Sequence, residues 1–465
     1  MSEPGKTQRF RRVLIANRGE IAVRILRTCH RLGIEAVLAA SEEDLDSLAA
    51  RLADATICIG PAEPAASYLN VRAVVDAALA VRADAIHPGY GFLSENPRLA
   101  RACASAGVAF IGPAEAQLGA AGDKLQARGN ALAAGLPVAP GGEVRDAAEA
   151  HRLAAEIGWP VLVKAVGGGG GRGITQVRQP GDLGAAIDRA MAQAAVAFGD
   201  PRVYLERFVT AGRHVEVQLL GDGSSVIHLG DRDCSVQRRY QKVIEEAPAP
   251  SLSDALRAGV QQAATALGQH LRYRGAGTVE FLVDGERDAF YFLEMNARIQ
   301  VEHPVTEAVC GVDLIAEQIA IAEGHPLRRS QPSVTPSGHA IECRINAEDW
   351  TRGFRPDPGV VTEAVFPAGD GIRVDTHLQA GTRVPPFYDS LLAKLIAHGS
   401  DRADALARLR RALARCQITG VATNLPMHTA VAADAEFSRG ALDTDWLSRF
   451  ASRRVRGAVA GGAGG

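Results

Sequence analysis

Between residues 11 and 122 the chain alternates short apolar runs with amphipathic helical stretches, and that rhythm leaves few folds open. RVLIAN (12–17), EAVLAA (35–40), ATICIG (55–60), DAIHPG (84–89) and VAFIG (108–112) read as buried strands. Between the first two, IAVRILRTCHRLG (21–33) reads as a helix that turns Ile21, Ile25, Leu26 and Leu32 inward. Strand–helix alternation implies βαβ units and a parallel sheet covered on both faces. The first turn, NRGEIA, lacks the GxGxxG spacing of a dinucleotide site, so an NAD domain is not expected.

At 123 the rhythm changes. A helix is expected over 123–135 and another from near 146; then the strand WPVLVKAV runs into GGGGGRG, with a helix over 181–199. A strand-rich stretch follows: RVYLERFV, HVEVQLLG and SVIHLGDRD, then a helix at 253–272. GTVEFLVDGERDAFYFLEMN reads as a hairpin turning at DGERD. Residues 339–450 form a third unit, with strands near 339–346, 359–366 and 391–398 and helices near 402–415 and 423–432. The small-residue end, GAVAGGAGG, is expected to be disordered together with the rest of 451–465.

Charge and cysteines narrow the function. With 51 basic and 53 acidic side chains the formal net charge is −2, which argues against a nucleic-acid or membrane-surface protein. The start has no apolar core before a cleavage site, and no uncharged apolar stretch reaches the ~18 residues of a membrane span. Seven scattered cysteines with no CxxC pair fit a reduced cytosol rather than a disulfide framework or zinc ribbon. Cys234, in DRDCSVQRR, has no general-base pattern around it and reads as a spectator thiol.

Two segments carry chemistry. In VLVKAVGGGGGRG, Lys164 ends a strand and five glycines follow. A glycine run exposes backbone N–H groups to an anion without Cβ interference. The lysine precedes the glycines, so this is no Walker A loop; a mobile lid over phosphates is the better reading, a flexible linker the alternative. In LEMNARIQVEHP, an extended chain would put Glu294, Asn296, Arg298, Gln300 and Glu302 on one face and Met295, Ala297, Ile299 and Val301 on the other. If the hairpin closes symmetrically, Glu280 lies opposite Glu294. Opposed like charges destabilise a sheet unless neutralised, and a hard divalent cation such as Mg²⁺ would do so. An ion-pair network through Arg287 or Arg298 remains the alternative. Arg298 could grip a planar anion, with Glu302 beside it as a base; Arg238, Arg239 and Lys242 add charge enough to meet a triphosphate.

Over about residues 10–450 these pieces resemble the biotin carboxylase family of the ATP-grasp superfamily. The resemblance rests on VLIANRGEIAVRILR, HPGYGFLSEN, KAVGGGGGRG, RDCSVQRRYQKVIEEAPAP, GAGTVEFL, EMNARIQVEHPVTE, ECRINAED and PPFYDSLLAKL, eight runs in the family's order. It implies an α/β and α+β architecture: a Rossmann-like parallel-sheet domain (10–122), an ATP-grasp domain (123–338) with a lid at about 140–212, and a mixed α/β domain (339–450). It implies two half-reactions: MgATP phosphorylates bicarbonate to carboxyphosphate, and CO₂ is captured by N1′ of biotin on a separate carrier.

Carried over by position, the resemblance makes Lys124, Lys164, Gly170, Gly171, His214 and Gln237 nucleotide contacts. Glu206, Arg207, Phe208 and Val209 become the adenine hinge, with Tyr240 near the ribose. Glu280, Glu294 and Asn296 become ligands of Mg²⁺ or Mn²⁺. Lys242, Arg298, Gln300, Val301 and Glu302 form the bicarbonate pocket, Glu302 being the base. Arg344 stabilises the biotin enolate, with Tyr90 and Gly91 nearby. Tyr240 stands where the family more often has His, Arg207 for Lys and Ala297 for Thr, and the segment around Trp350 also departs. None of the four methionines is followed by lysine, so no biotinyl AMKM motif is present. The expectation is a cytoplasmic stand-alone subunit, homodimeric, working with a biotin carboxyl carrier protein and carboxyltransferase subunits of an acetyl-CoA-type carboxylase. The rival readings are an ATP-grasp ligase that passes an acyl group to an amine and a non-catalytic scaffold in a larger complex.

Overall fold

The structure, a computed structural model, describes residues 8–167 and 173–461. Five strands form a parallel sheet in the order β3-β2-β1-β4-β5: β1 (Arg12–Ile15), β2 (Glu35–Ala40), β3 (Ala55–Cys58), β4 (Ala85–His87) and β5 (Ala109–Phe110). Val13, Leu14 and Ile15 are wholly buried, because a central strand covered on both faces must be apolar throughout rather than alternating. The helix Gly19–Leu32 stops where Gly33 takes φ 70°, closing its N–H on the carbonyls of Cys29 and His30.

A four-stranded antiparallel sheet in the order β6-β9-β7-β8 comes next: β6 (Gly141–Val144), β7 (Val161–Ala165), β8 (Ile174–Val177) and β9 (Val203–Arg207). The helices Ala147–Ile157 and Leu183–Phe198 pack on it through a small apolar core that includes Val144, Ala150, Val163 and Ile187. Most of the glycine run joining β7 to β8, including Gly170 and Gly171, lies outside the described residues.

The largest element is an eight-stranded antiparallel sheet. Its strands are β10 (Arg213–Asp222), β11 (Val226–Arg238), β12 (Gln241–Ala247), β13 (Arg274–Asp284), β14 (Ala289–Asn296) and β15 (His339–Asn346), then Leu391–Gly399 and Ile372–Thr376. The order is β14-β13-β10-β11-β12-β15, closed by Leu391–Gly399 and Ile372–Thr376. The sheet therefore continues across the expected boundary near 338, with Ile244–Ala247 of β12 paired to Ala340–Cys343 of β15. β12 is the strand the sequence hid, because its charged KVIEEAP reads as a solvated face.

Two expectations are corrected. The polar comb is not extended throughout: β14 ends at Asn296, and Glu302 becomes the N-cap of the helix His303–Cys310. Pro304 explains this, since its ring favours the first turn of a helix and offers no N–H to a strand ladder. The second correction is at the far end. The helix Trp446–Gly461 runs on through residues expected to be disordered. Trp446 stacks on Phe450 (5.1 Å between ring centres) and leans on Phe437, which anchors the first turns. Residues 462–465 lie outside the described residues.

Candidate active site

One row of side chains crosses the large sheet: Arg232 on β11, Glu216 on β10, Glu280 on β13 and Glu294 on β14, each opposite the next. A register shift beside Glu280 brings Glu294 opposite it. Three adjacent carboxylates would splay the sheet unless cations sat among them. The wholly buried Arg232 gives Nε to Glu216 at 2.5 Å. Lys242, arriving on β12, places Nζ 2.6 Å from Glu216, 2.7 Å from Glu280 and 2.7 Å from Glu302. His214 Nε2 lies 2.9 Å from the second oxygen of Glu280. Burial opposes the charge on Glu280, yet Lys242 and His214 hold its carboxyl well below the usual range.

Glu294 is treated differently. Burial and the charge of Glu280 push its carboxyl up, and among the described residues it forms no ion pair; its one hydrogen bond comes from Asn296 Nδ2 at 3.4 Å. Two other donor sets are close enough to share an ion, His214–Glu216–Glu280 and Glu216–Cys234–Glu302. Lys242 Nζ already bridges carboxylates of both. The under-neutralised place is between Glu280 and Glu294, and paired carboxylates there suit a hard divalent cation. Asn296 turns its nitrogen to these carboxylates, donating to Glu280 at 2.9 Å, while its oxygen accepts from Arg298 at 3.1 Å. In this arrangement the two glutamates, rather than the amide, offer oxygen.

Glu302 is wholly buried and does not cap its own helix. Its carboxylate reaches Lys242 Nζ with one oxygen and Arg344 Nη2 with the other, both at 2.7 Å. Burial opposes that charge as well, but Lys242 and Arg344 hold the carboxyl well below its usual value. Arg344 also gives Nε to Glu245 at 2.5 Å, and its carbonyl accepts from His428 and Asn424. Arg298 is aimed by Glu95 (Nε to Oε2, 2.9 Å) and gives Nη1 to Gln300 at 2.6 Å. Gln300 in turn donates to Glu280 at 3.1 Å, and the Val301 carbonyl accepts from Lys394 at 2.9 Å.

Beside this node opens a cavity lined by Lys124, Lys164, Glu206, Phe208, Val209, His214, Gln237, Tyr240, Glu280 and Glu294. Lys124 begins the helix Lys124–Ala133, which Asp123 caps, and burial draws its ammonium down. Lys164 Nζ pairs with Glu206 at 2.6 Å. Arg238 is not among the lining residues; its guanidinium lies over Phe354. Arg207 turns its guanidinium onto the Tyr291 hydroxyl at 2.7 Å and is not among the lining residues. Tyr240 and Arg239 both have positive φ (66° and 48°), as the tight turn between β11 and β12 demands. Tyr90 and Gly91 line a separate small pocket with Glu20 and Asp389, where the Tyr90 hydroxyl donates to Glu20. Cys234 is buried with its thiol pushed well up, as a spectator would be.

Sequence reasoning missed Glu95, Glu216, Arg232 and Glu245. Glu216 alternates within HVEVQLLG and had a local signal. Glu95 sits in the quoted run HPGYGFLSEN, but its contact with Arg298, 203 positions away, had no signal.

Comparison with known proteins matches three family models along the chain. Residues 9–118 match the family described as biotin carboxylase, N-terminal domain. Residues 123–330 match the carbamoyl-phosphate synthase L chain, ATP binding domain, and 342–449 the biotin carboxylase C-terminal domain. The chain is 49% identical over 445 residues to a biotin carboxylase of Nostoc sp., covering 95% of this chain and 99% of that one. It is 48% identical over 442 residues to a biotin carboxylase of Pseudomonas aeruginosa, covering 94% and 98%. Among solved structures, it resembles the biotin carboxylase domain dimer of Hydrogenobacter thermophilus 2-oxoglutarate carboxylase, solved with MgADP, ADP and bicarbonate. That match has a TM-score of 0.91 at 43% identity and covers 95% of this chain and 98% of the other.

Proposed function

The chain belongs to the biotin carboxylase family of ATP-dependent ligases, and we propose that it carboxylates N1′ of a carrier-borne biotin with MgATP and bicarbonate, by way of carboxyphosphate. One observation carries the proposal: the Glu302 carboxylate bridges Lys242 and Arg344, so one buried base touches both a cation for bicarbonate and a cation for biotin.

ATP enters the cavity with its phosphates toward Lys124 and Lys164 and its base along Glu206–Val209. His214, Gln237 and Tyr240 line its path. A cover over the phosphates would keep water from the labile intermediate; Gly170 and Gly171, which the resemblance assigns there, lie outside the described residues. Glu280 and Glu294 would hold Mg²⁺ or Mn²⁺, with Asn296 beside them. That ion supplies charge neutralisation at the phosphates.

Bicarbonate binds between Arg298, Gln300, Lys242 and the Val301 backbone. In the substrate-free chain the ion pairs of Glu302 make it a poor base. An anion drawing Lys242 to itself relieves that suppression where the proton must be taken. Glu302 accepts the bicarbonate proton, the freed oxygen attacks the γ-phosphorus, and ADP leaves. Carboxyphosphate then breaks into CO₂ and phosphate, the released phosphate takes the N1′ proton of biotin, and the resulting enolate, held at Arg344 with Tyr90 and Gly91 nearby, attacks CO₂ through N1′. Positioning and charge neutralisation do most of this work.

The same reading makes the chain a cytoplasmic homodimer that serves a biotin carboxyl carrier protein and carboxyltransferase subunits, of the acetyl-CoA type. Among the described residues no helix is long and apolar enough to cross a membrane. Steady-state ATP hydrolysis tests the proposal. It is expected to require bicarbonate and to rise with free biotin in the absence of any amine. Hydrolysis stimulated by an amine and indifferent to biotin would overturn it in favour of an amine-acylating ligase.

A further inference from the structure

Arg344 is held by two carboxylates, and only Glu302 has a part in the chemistry above. The other, Glu245, is wholly buried on β12 and sits directly opposite Glu342 on β15. Glu342 is also wholly buried. Neither of its oxygens, nor Glu245 Oε2, has a hydrogen-bond partner among the described residues. Two opposed buried carboxyls repel, so ionising both is costly, and of the two only Glu245 bonds the Arg344 guanidinium. Burial pushes the Glu342 carboxyl well up, toward the neutral acid. The negative charge of the pair therefore falls on Glu245, which gives up an oxygen to Arg344 at 2.5 Å.

The groups facing Glu245 come from every neighbouring element. Arg344 and Glu342 stand on β15, Glu302 at the start of the helix His303–Cys310, and Cys234 on β11. Lys242 is on its own strand, and Lys394 lies beside Glu342 on Leu391–Gly399. With Glu245 ionised, Arg344 is shared between two carboxylates. With Glu245 neutral, the whole guanidinium charge settles on Glu302.

Resting on the biotin carboxylase reading, we propose that Glu245 is a positioning residue of the biotin half-reaction: its carboxylate draws the Arg344 guanidinium off Glu302 and presents it to the biotin oxyanion. Glu342 supplies the neutral wall that lets Glu245 keep this charge. Because burial and Glu302 push the Glu245 carboxyl up to about 7, Arg344 is released for biotin only as pH rises through that value.

The test measures kcat/KM for free biotin against pH, beside the Kd of MgATP. Wild-type protein is expected to show an acid limb with a midpoint near 7 in the biotin profile and none in nucleotide binding. Glu245→Gln keeps an acceptor for Arg344 without the charge. It is expected to raise KM for biotin about tenfold or more, erase the limb and leave the MgATP Kd within about twofold. Glu342→Gln swaps one neutral group for another and is expected to keep the wild-type limb. A limb that persists in Glu245→Gln, a limb lost only in Glu342→Gln, or a MgATP Kd that rises as far as the biotin KM would each overturn the proposal. If Glu245→Gln does not fold, Glu245→Asp decides: a carboxylate too short to reach Arg344 is expected to raise the biotin KM and leave the MgATP Kd within about twofold, and an unchanged biotin KM overturns the proposal. Wild-type protein with no biotin carboxylation at any pH would instead sink the reading on which the proposal rests.

Discussion

Glu302 is where the chemistry concentrates: a wholly buried carboxylate that meets a lysine on one oxygen and an arginine on the other. Glu302→Gln keeps the shape and removes the carboxylate proposed as the base. Biotin carboxylation is expected to fall by about 10²-fold or more, while the Kd of MgATP, measured by calorimetry, stays within about threefold. Equal losses in both would mean that Glu302 only holds the site together. Arg344→Ala is expected to reduce biotin carboxylation at least about tenfold more than bicarbonate-dependent ATP cleavage; parallel losses would remove Arg344 from the biotin side. The residues named here lie in motifs that can be recognised in sequence. Glu95 and Glu245 lie in such motifs too, HPGYGFLSEN and RDCSVQRRYQKVIEEAPAP, but which residue each meets is not written there. Glu95 orients Arg298 across 203 positions and Glu245 holds Arg344 across 99, and nothing local in a single sequence marks either contact.

At the scale of elements, the β13–β14 hairpin does the decisive work by setting Glu280 against Glu294. The turn residues made the hairpin legible, but symmetric closure from the Asp284–Ala289 pair would set Glu280 against Leu293; the register shift beside Glu280, which the sequence does not mark, makes the pair. The two-residue period misled beyond Asn296, where Pro304 imposes a helix start and swings Glu302 round to face Lys242. β12 stayed hidden because its polar residues face a charged interior rather than water, so charge imitated exposure. A metal prediction belongs to this hairpin. In wild-type protein with nucleotide, added Mg²⁺ is expected to raise the thermal midpoint, because a ligand that binds only the native state stabilises it. Glu294→Gln is expected to need about tenfold more Mg²⁺ for the same rise. Without metal or nucleotide it should be at least as stable as wild type, having lost a like-charge contact. An unchanged Mg²⁺ midpoint would contradict the assignment.

For the whole molecule, three buried imidazoles tie the fold to pH. His87 is driven down to about 3, and His377 and His428 to about 4, by burial. Each is neutral in the fold but takes a proton near pH 6.5 once unfolded. The stabilisation is complete above pH 6.5 and is lost as pH falls toward the folded values, by about 2 kcal/mol per imidazole at pH 5. Thermal midpoints are expected to drop between about pH 7.5 and pH 5, and a pH-independent midpoint would contradict this. His428→Gln should flatten the drop; because His428 donates to the Arg344 carbonyl, it should also weaken biotin turnover.

The three layers meet in one reaction, and following labelled carbon tests them together most directly. Purified protein given [¹⁴C]bicarbonate, MgATP and free biotin is expected to form acid-labile [¹⁴C]carboxybiotin. That product should vanish without ATP, without Mg²⁺ and in Glu302→Gln. Label that never reaches biotin while ATP is consumed, or a yield that survives the loss of Glu302's carboxylate, would contradict the account at its centre.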